Sequence, residues 1–81
     1  MATNNITYEI VKPIGVISAN DTYSKQVNIV AWNNREPVYD IRIWKMGKDE
    51  TKTPLKGISL NATDLENLKE ILSAIDLEVE P

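Results

Sequence analysis

Apolar and polar residues alternate along two neighbouring stretches of the chain, at 27–32 and at 38–46. Successive side chains of a β-strand point to opposite faces of a sheet, so this alternation predicts two strands joined by a hairpin loop at 33–37. One face of the pair collects aliphatic residues and a tyrosine, namely Val27, Ile29, Ala31, Tyr39, Ile41 and Ile43. Both tryptophans, Trp32 and Trp44, fall on the other, more polar face. The pattern therefore predicts a sheet with one apolar face and one face that combines polar groups with two indoles.

Two further strands flank this hairpin, whose first strand begins at Lys25. Residues 6–18 are rich in β-branched side chains that Lys12-Pro13 interrupts, which predicts an edge strand bent at this point or two short strands. Residues 54–60 read as a fourth strand, after a polar and charged loop at 47–53.

One helix follows the fourth strand. Asn61 is a favourable N-cap residue and Asp64 suits the first turn, although Thr63 with Glu66 offers a capping box for a later start. Five apolar residues at helical spacing form one stripe: Leu65, Leu68, Ile71, Leu72 and Ile75. Beyond the helix, the acidic residues 77–81 read as a short tail.

Four strands followed by one helix indicate an α+β fold, in which the helix covers one face of an antiparallel sheet. The apolar face is the expected floor for the helix stripe. Trp32, Trp44 and Arg42 would then lie on the uncovered face. Residues 1–81 suffice for one domain, whose core we expect at about residues 6–76.

The chain contains neither cysteine nor histidine, so disulfides, thiol chemistry and the usual zinc ligands are excluded. A domain of this size buries only about 60–65% of the surface of its unfolded chain, so further support is expected, and oligomerisation is the common form that remains. The N-terminal residues lack the pattern of a signal peptide, and no apolar run approaches about 20 residues. We therefore expect a cytoplasmic homodimer without a metal, a cofactor, a membrane segment or a small-molecule substrate.

Charge is distributed unevenly along the chain. The net charge of −3, taken alone, argues against a nucleic-acid partner. Residues 25–56, however, carry a net charge of +3, whereas residues 57–81 carry a net charge of −5. A solvated surface of mixed charge is the plain interpretation. The basic segment gains meaning for function only if its cations lie near the tryptophans.

The tryptophans allow two interpretations. Tryptophan is usually largely buried, so the pair could cap the edge of the core or bury against a partner subunit. Their neighbours favour a ligand platform, because Arg42 shares the face of Trp44 and Asn28 shares the face of Trp32. Aromatic rings and arginine on a sheet suit the stacking of unpaired bases, with cations along the phosphate backbone.

A second signature begins at residue 56, where a Lys-Gly pair precedes a short apolar strand that runs directly into the capped helix, as KGISLN. Together with YDIRIW at 39–44 and the leucines at 65 and 68, it resembles the single-stranded-DNA-binding domain of eukaryotic positive cofactor four. The chain is even more similar to small bacterial YdbC-type relatives, which share the KPIGVIS-like first strand, the AWNN turn and the Glu-Pro before the third strand. The resemblance covers residues 7–76.

This resemblance implies a ββββα domain with a curved sheet, which dimerises through its helices and sheet edges and binds two antiparallel runs of single-stranded DNA. It implies DNA contacts for Trp32 at the end of the second strand, for Arg42 of the DIR element and for Lys56 before Gly-Ile-Ser. Trp44 stands where the bacterial pattern has its tryptophan, so it is a second stacking candidate. Strict alternation puts Lys56 on the apolar face, and a bulge at Gly57 would relieve this.

Three further basic residues complete the predicted interface: Lys25, Arg35 and Lys45. We predict single-stranded DNA as the partner, bound with little sequence preference in transcription regulation, replication or repair, and RNA stays open because stacking and phosphate contacts suit both. A peptide-binding module that uses the Trp and Arg face is the alternative, and a structural dimer with buried tryptophans is another. An enzyme is disfavoured, because no catalytic constellation is present and Asp40 near Arg42 suits a salt bridge.

Overall fold

The computed structural model describes residues 6–49 and 51–76. It contains four strands and one helix: β1 (Tyr8–Ala19), β2 (Tyr23–Trp32), β3 (Val38–Met46), β4 (Lys52–Leu60) and α1 (Ala62–Ala74). The strands form an antiparallel sheet in the order β1-β2-β3-β4. The predicted order of four antiparallel strands followed by a C-terminal helix is therefore confirmed.

The β2–β3 hairpin has the loop that the sequence predicts. Asn33 and Asn34 have φ angles of 51° and 63°, and the Arg35 N–H donates to the Trp32 carbonyl at 2.8 Å. Asparagine tolerates this left-handed backbone better than most residues with a Cβ, which explains the Asn-Asn pair at the centre of the turn. The Thr7 N–H also donates to the Asn33 side chain, so the turn fixes the end of β2 beside the start of β1.

β1 is one continuous edge strand and not two short strands, the other predicted alternative. Its pairing with β2 shifts at three places: Ile10/Lys12, Pro13/Gly15 and Val16/Ser18. Shifts of this kind leave a residue unpaired and bend the strand. Two of the three lie next to the Lys12-Pro13 step, so the edge strand is bent where the sequence predicts a bend.

The sheet is strongly curled. Trp44 pairs with Ser24, eight positions from Trp32 along β2, which is about 26 Å in a flat sheet. The ring centroids of the two tryptophans nevertheless lie 6.2 Å apart. The Tyr8 hydroxyl, on one edge strand, donates to the Lys52 carbonyl of the other edge strand at 2.8 Å. The two edges of the sheet therefore meet over the side that carries the indoles.

This curl reverses the expected location of the core. We call the side of Trp32 and Trp44 the Trp face, and it also carries Ser24, Gln26, Asn28, Val30, Asp40 and Arg42. Within the described residues the buried apolar side chains are Val30 and Trp44, both on the Trp face. The opposite side, which we call the aliphatic face and which includes Ile29 and Ile41, is only half-buried. The expectation that Trp44 lies on an uncovered face is wrong, because curling closes that face around it.

α1 begins as predicted but does not cover the sheet. The Asn61 side chain accepts a hydrogen bond from the Asp64 N–H at 2.8 Å, which confirms Asn61 as the N-cap. None of the helical residues 62–74 is buried, and Ile71 and Leu72 of the stripe are 59% and 55% exposed. Within the described chain the helix contacts β3 and β4 but not β2. The aliphatic face is therefore not its floor, and the predicted tail at 77–81 lies outside the described residues.

Candidate nucleic-acid interface

An open groove with a volume of about 470 Å³ lies beside Trp32. We call it the Trp32 groove, and its lining includes the β2–β3 loop, β3 and β4, with Trp32, Arg35, Glu36, Arg42, Pro54, Leu55 and Ser59. Three predicted site residues, Trp32, Arg35 and Arg42, therefore meet in one concave surface. An aromatic side chain with a few polar groups in a concavity is the usual composition of a ligand site.

A cluster of aromatic rings holds Trp32 in place. Its ring lies nearly parallel to that of Trp44, with an interplanar angle of 8° and a centroid distance of 6.2 Å. Tyr8 packs against both rings, with its centroid 5.9 Å from that of Trp32 and 5.1 Å from that of Trp44. Both indole Nε1 atoms are buried, and neither has a hydrogen-bond partner among the described residues. Ring packing, not hydrogen bonding, therefore fixes the orientation of Trp32.

Trp44 is sealed beneath this cluster. Its side chain is 0% exposed, and the Lys52 Nζ lies 5.6 Å from the centre of its ring. Tyr8 meets the same ring edge-on, so no ring face of Trp44 is open to a base in this conformation. The arrangement supports a role for Trp44 in backing the partly exposed Trp32. A direct contact between Trp44 and DNA stays a prediction.

Arg42 is bound by Asp40. Its Nε and Nη2 donate to the two carboxylate oxygens of Asp40 at 2.8 and 2.9 Å, and its Nη1 donates to the Leu55 carbonyl at 2.8 Å. Asp40 is fully buried and also accepts a hydrogen bond from the Ser59 hydroxyl at 3.0 Å. The predicted salt bridge is therefore confirmed. It fixes the guanidinium carbon of Arg42 4.7 Å from the centre of the Trp32 ring, a cation–π distance.

The charges that line the Trp32 groove nearly cancel. Arg42 is matched by Asp40, and Arg35 shares the lining with Glu36. A bidentate pair between arginine and a carboxylate leaves little net charge for a ligand. The groove therefore presents an aromatic ring and a planar guanidinium, but little net positive charge for the phosphates of a nucleic acid.

Lys25, Lys45 and Lys56 do not line the Trp32 groove. Lys25 and Lys56 line a second cavity, and Lys45 pairs with Tyr23 of that cavity in the β2–β3 register. β4 has a bulge opposite Ile43 at residues 55–56, next to the predicted position; Gly57 itself pairs with Arg42, and Lys56 lines the second cavity. Lys25 and Lys45 share the parity of Ile43, so they lie on the other face from the indoles. Their contact with DNA stays a prediction.

Asn28 is buried within a polar network of the Trp face. Its Nδ2 donates to the Gln26 Oε1 at 3.1 Å, and the Gln26 Nε2 donates to the Ser24 hydroxyl at 3.0 Å. The Lys52 Nζ donates to the same oxygen of Gln26 at 3.2 Å. These bonds explain how polar residues occupy a buried face. Asn28 is 1% exposed, so it offers no surface to a ligand here.

Sequence reasoning missed three residues of this region: Tyr8 and Lys52, which contact Trp44, and Tyr23, which lines the second cavity. Tyr8 and Lys52 join the two sheet edges and enclose Trp44. The pairing of Tyr8 with Trp32 depends on the register shifts in β1, which alternation along the strand does not reveal. Tyr23 lies two positions before Lys25 and therefore on the same side of β2. This spacing is the signal in the sequence that identifies Tyr23 as a neighbour of the predicted site.

Within residues 6–49 and 51–76, no three Asp, Glu, His or Cys side chains are grouped so that they could hold a metal ion. In the same part of the chain, no helix is long and apolar enough to cross a bilayer. The groups that the two cavities present include aromatic rings, hydroxyls, lysines, the carboxylate-bound Arg42, and Arg35 with Glu36.

Residues 19–71 match the family model described as Transcriptional Coactivator p15 (PC4). The matched segment begins at the last residue of β1 and ends within α1, so it includes Tyr23, Trp32 and Arg42. No curated protein matches the chain. The family match confirms the resemblance that KGISLN and YDIRIW indicate in the sequence.

Proposed function

Because the chain belongs to the Transcriptional Coactivator p15 (PC4) family, we propose that it binds single-stranded DNA in the Trp32 groove, with little sequence preference. The family assignment makes the chain DNA-binding and coactivator-like. The observation that carries the choice of groove is the fixed, partly exposed ring of Trp32 beside the planar guanidinium of Arg42. Aromatic and guanidinium planes stack with any base, which accounts for the lack of sequence preference.

The groove suits an unpaired base. Stacking on Trp32 requires a base whose face is open, whereas the bases of a duplex are stacked on one another. Readers of duplex DNA place a helix or a two-stranded ribbon in the major groove, and the Trp32 ring lies inside a curled sheet instead. Single strands are therefore expected to bind more tightly than duplex. The family supports transcription regulation as the setting, and replication and repair are further processes that expose single strands.

The aromatic cluster makes the platform rigid. Trp44, Tyr8 and Arg42 contact Trp32 and leave its ring little freedom to change rotamer. A side chain that is already fixed loses little entropy when a ligand binds. The buried Trp44 thereby supports stacking without contact with the base.

We also propose that the chain binds a second copy of itself and forms a homodimer. Ile58 on the aliphatic face is 55% exposed, and the α1 stripe is open at Ile71 and Leu72. The radius of gyration is 14.5 Å, against about 12 Å expected for a compact chain of this length. Large apolar side chains exposed to this extent support an interface. A homodimer that packs helices and aliphatic faces together would bury them.

A titration with end-labelled oligo-dT and a matched duplex tests the function. Trp32→Ala is expected to weaken binding to oligo-dT by about 1–3 kcal/mol, the contribution of one stacked base. Trp32→Phe keeps an aromatic ring in the groove and serves as the matched control, with most of the affinity retained. Duplex bound as tightly as oligo-dT, or an unchanged affinity of Trp32→Ala, would contradict the proposal.

A further inference from the structure

A single hydrogen bond joins the two edges of the curled sheet beside the Trp32 groove. The lining of the groove includes Ile6, just before β1, and Pro54 of β4, which belong to opposite edges. Two residues further along each edge, the Tyr8 hydroxyl donates to the Lys52 carbonyl at 2.8 Å. β1 and β4 run antiparallel in this sheet order, so both steps lead in the same direction. This contact, which we call the Tyr8–Lys52 clasp, therefore closes one end of the groove.

The residues of the clasp also cover Trp44. The Tyr8 ring meets the Trp44 ring edge-on at a centroid distance of 5.1 Å, and the Lys52 Nζ lies 5.6 Å from the centre of the same ring. The Lys52 Nζ also donates to the Gln26 side chain at 3.2 Å. Trp44 is 0% exposed as a result. The clasp therefore separates the open groove from the buried indole.

The closed clasp leaves two hydrogen-bond donors buried without an acceptor. The Nε1 atoms of Trp32 and Trp44 are both buried, and neither has a hydrogen-bond partner among the described residues. A buried donor without an acceptor destabilises the conformation that buries it. Separation of the two sheet edges would give these N–H groups access to solvent. Ring packing favours the closed conformation, and the two indole N–H groups oppose it.

The two sides of the clasp are held unequally. On the β1 side, the Thr7 N–H donates to the Asn33 side chain at 3.0 Å, and the Asn33 N–H donates to the Thr7 carbonyl at 2.8 Å. On the β4 side, the bulge at residues 55–56 separates residues 52–54 from the rest of the strand. Pro54 has no N–H to donate to the sheet. Residues 52–54 are therefore the part that moves when the edges separate.

We propose that the Tyr8–Lys52 clasp opens by movement of residues 52–54 about the β4 bulge, and that a long single strand selects the open conformation. Opening extends the groove past Tyr8 towards Trp44. A ligand that binds one conformation more tightly shifts the equilibrium towards it, and the closed fraction raises its apparent Kd. This inference rests on the proposed function and adds a conformational control to the same site. The clasp sets the affinity for long strands through an equilibrium within the protein.

Tyr8→Phe tests the clasp, because it removes the hydroxyl and keeps the ring. Hydrogen exchange of the Trp44 indole N–H, followed by NMR and identified with Trp32→Phe, reports the opening. Exchange is expected to accelerate about 2- to 12-fold, the factor for the net loss of one hydrogen bond. The Val30 backbone N–H, in a central strand, should keep its rate because the opening is local. Tyr39→Phe makes the same chemical change on the aliphatic face and should leave the Trp44 exchange unchanged.

The same variant is then titrated with oligo-dT of about 16 and about 4 nucleotides. Tyr8→Phe is expected to bind the longer strand more tightly, by up to the factor seen in the exchange, because less free energy is needed to open the clasp. The shorter strand should gain less, since less of it extends beyond the groove. Tyr39→Phe should bind both strands as the parent does. A purely structural role of the hydroxyl would instead weaken the binding of both strands.

Four outcomes would overturn the inference. Unchanged exchange at Trp44 in Tyr8→Phe would show that the hydroxyl does not hold the edges together. Equal acceleration at Val30 would show that the whole domain opens. Faster exchange at Trp44 with weaker binding of the longer strand would show that the hydroxyl only positions the platform. In these three cases oligo-dT binding by the parent keeps the proposed function, whereas a parent that binds no oligo-dT removes the proposed function and this control together.

Discussion

The two faces of the sheet are opposite in composition and, unexpectedly, in burial. The Trp face carries Ser24, Gln26, Asn28, Asp40 and Arg42, yet it contains all the buried side chains among residues 6–49 and 51–76. The aliphatic face carries isoleucines and valine, yet it is half-buried, and Ile58 is more than half exposed. Polarity alone therefore does not decide which face closes within one chain.

The two faces differ in whether their side chains find partners within one chain. On the Trp face, the carboxylate of Asp40 is hydrogen-bonded to Arg42 and Ser59, and the amides of Gln26 and Asn28 bond one another. Buried polar groups are tolerated when they are paired in this way. The aliphatic face needs only another apolar surface, and the described part of the chain places none over it. One face is completed by the chain itself, and the other is open to a partner.

The largest expected effect comes from a substitution of Trp44 on the Trp face. Trp44→Ala removes the largest fully buried side chain and is expected to cost about 3–5 kcal/mol of unfolding free energy. That is a large share of the roughly 4–12 kcal/mol typical of a chain of this length. Urea unfolding monitored by circular dichroism measures the loss.

Trp44→Phe is the matched control, because it keeps a ring between Tyr8 and Trp32 and leaves a smaller cavity. Its unfolding free energy is expected to lie between those of the parent and Trp44→Ala. A Trp44→Ala protein as stable as the parent, but deficient in DNA binding, would show that the Trp face is open in solution and that Trp44 contacts the base itself.

A substitution of Leu72 tests whether the aliphatic face and the α1 stripe are covered by a second copy. Leu72→Asp places a carboxylate on a surface that a second copy is expected to cover, so the dimer should dissociate. Sedimentation at micromolar concentration is expected to shift from a dimer towards a species of 9.1 kDa. Asn67→Asp introduces the same charge change on the opposite side of the helix and should leave the dimer intact. A parent that already sediments at 9.1 kDa would end the dimer proposal.

Gly57 pairs with Arg42 in the β3–β4 register and lies close against the β3 backbone. A Cβ at this position would overlap the Arg42 Cβ and lie 2.5 Å from the Ile41 carbonyl oxygen. Gly57→Ala must therefore push β4 away from Arg42, at an expected cost of about 1–3 kcal/mol. Oligo-dT affinity should fall as well, because Arg42 is displaced from Trp32. Gly15→Ala is the control, since a Cβ there meets no atom within 4 Å.

The sequence predicts the elements of this fold well and their ends less well. The bounds of β3 and the N-cap at Asn61 are as predicted, since alternation and capping are local properties. β2 begins at Tyr23, two residues before the predicted start, because the Asn20 turn directs the chain straight into the sheet. β4 likewise begins at Lys52, because its register with Met46 continues across the predicted loop.

The candidate site is less predictable, because it depends on curvature. Parity correctly groups Trp32, Arg42 and Trp44 on one face, but it does not reveal that this face closes on itself. The closure follows from the register shifts of β1 and from Tyr8 reaching the Lys52 carbonyl, and both are contacts between distant parts of the chain. The sequence predicts the ion pair between Asp40 and Arg42, but it does not reveal that Asp40 is fully buried and holds the guanidinium over the Trp32 ring.

The smallest expected effect concerns that ion pair, and it decides which face carries the charge contacts. Arg42→Gln alone would leave the buried Asp40 unpaired, at a cost of about 3–5 kcal/mol, so the fold itself would be at risk. The double variant Asp40→Asn/Arg42→Gln keeps the net charge and removes both partners together. Its affinity for oligo-dT should fall, because no guanidinium lies over Trp32.

Its salt dependence, however, should equal that of the parent. An arginine already neutralised by a carboxylate releases no counterion from a phosphate, so the slope of log K against log salt loses nothing when the pair is removed. Lys25→Gln serves as the comparison and should flatten the slope by about 0.7, the value of one phosphate contact. If the double variant flattens the slope by that amount and Lys25→Gln does not, Arg42 leaves Asp40 to bind phosphate, and the charge contacts belong to the Trp face after all.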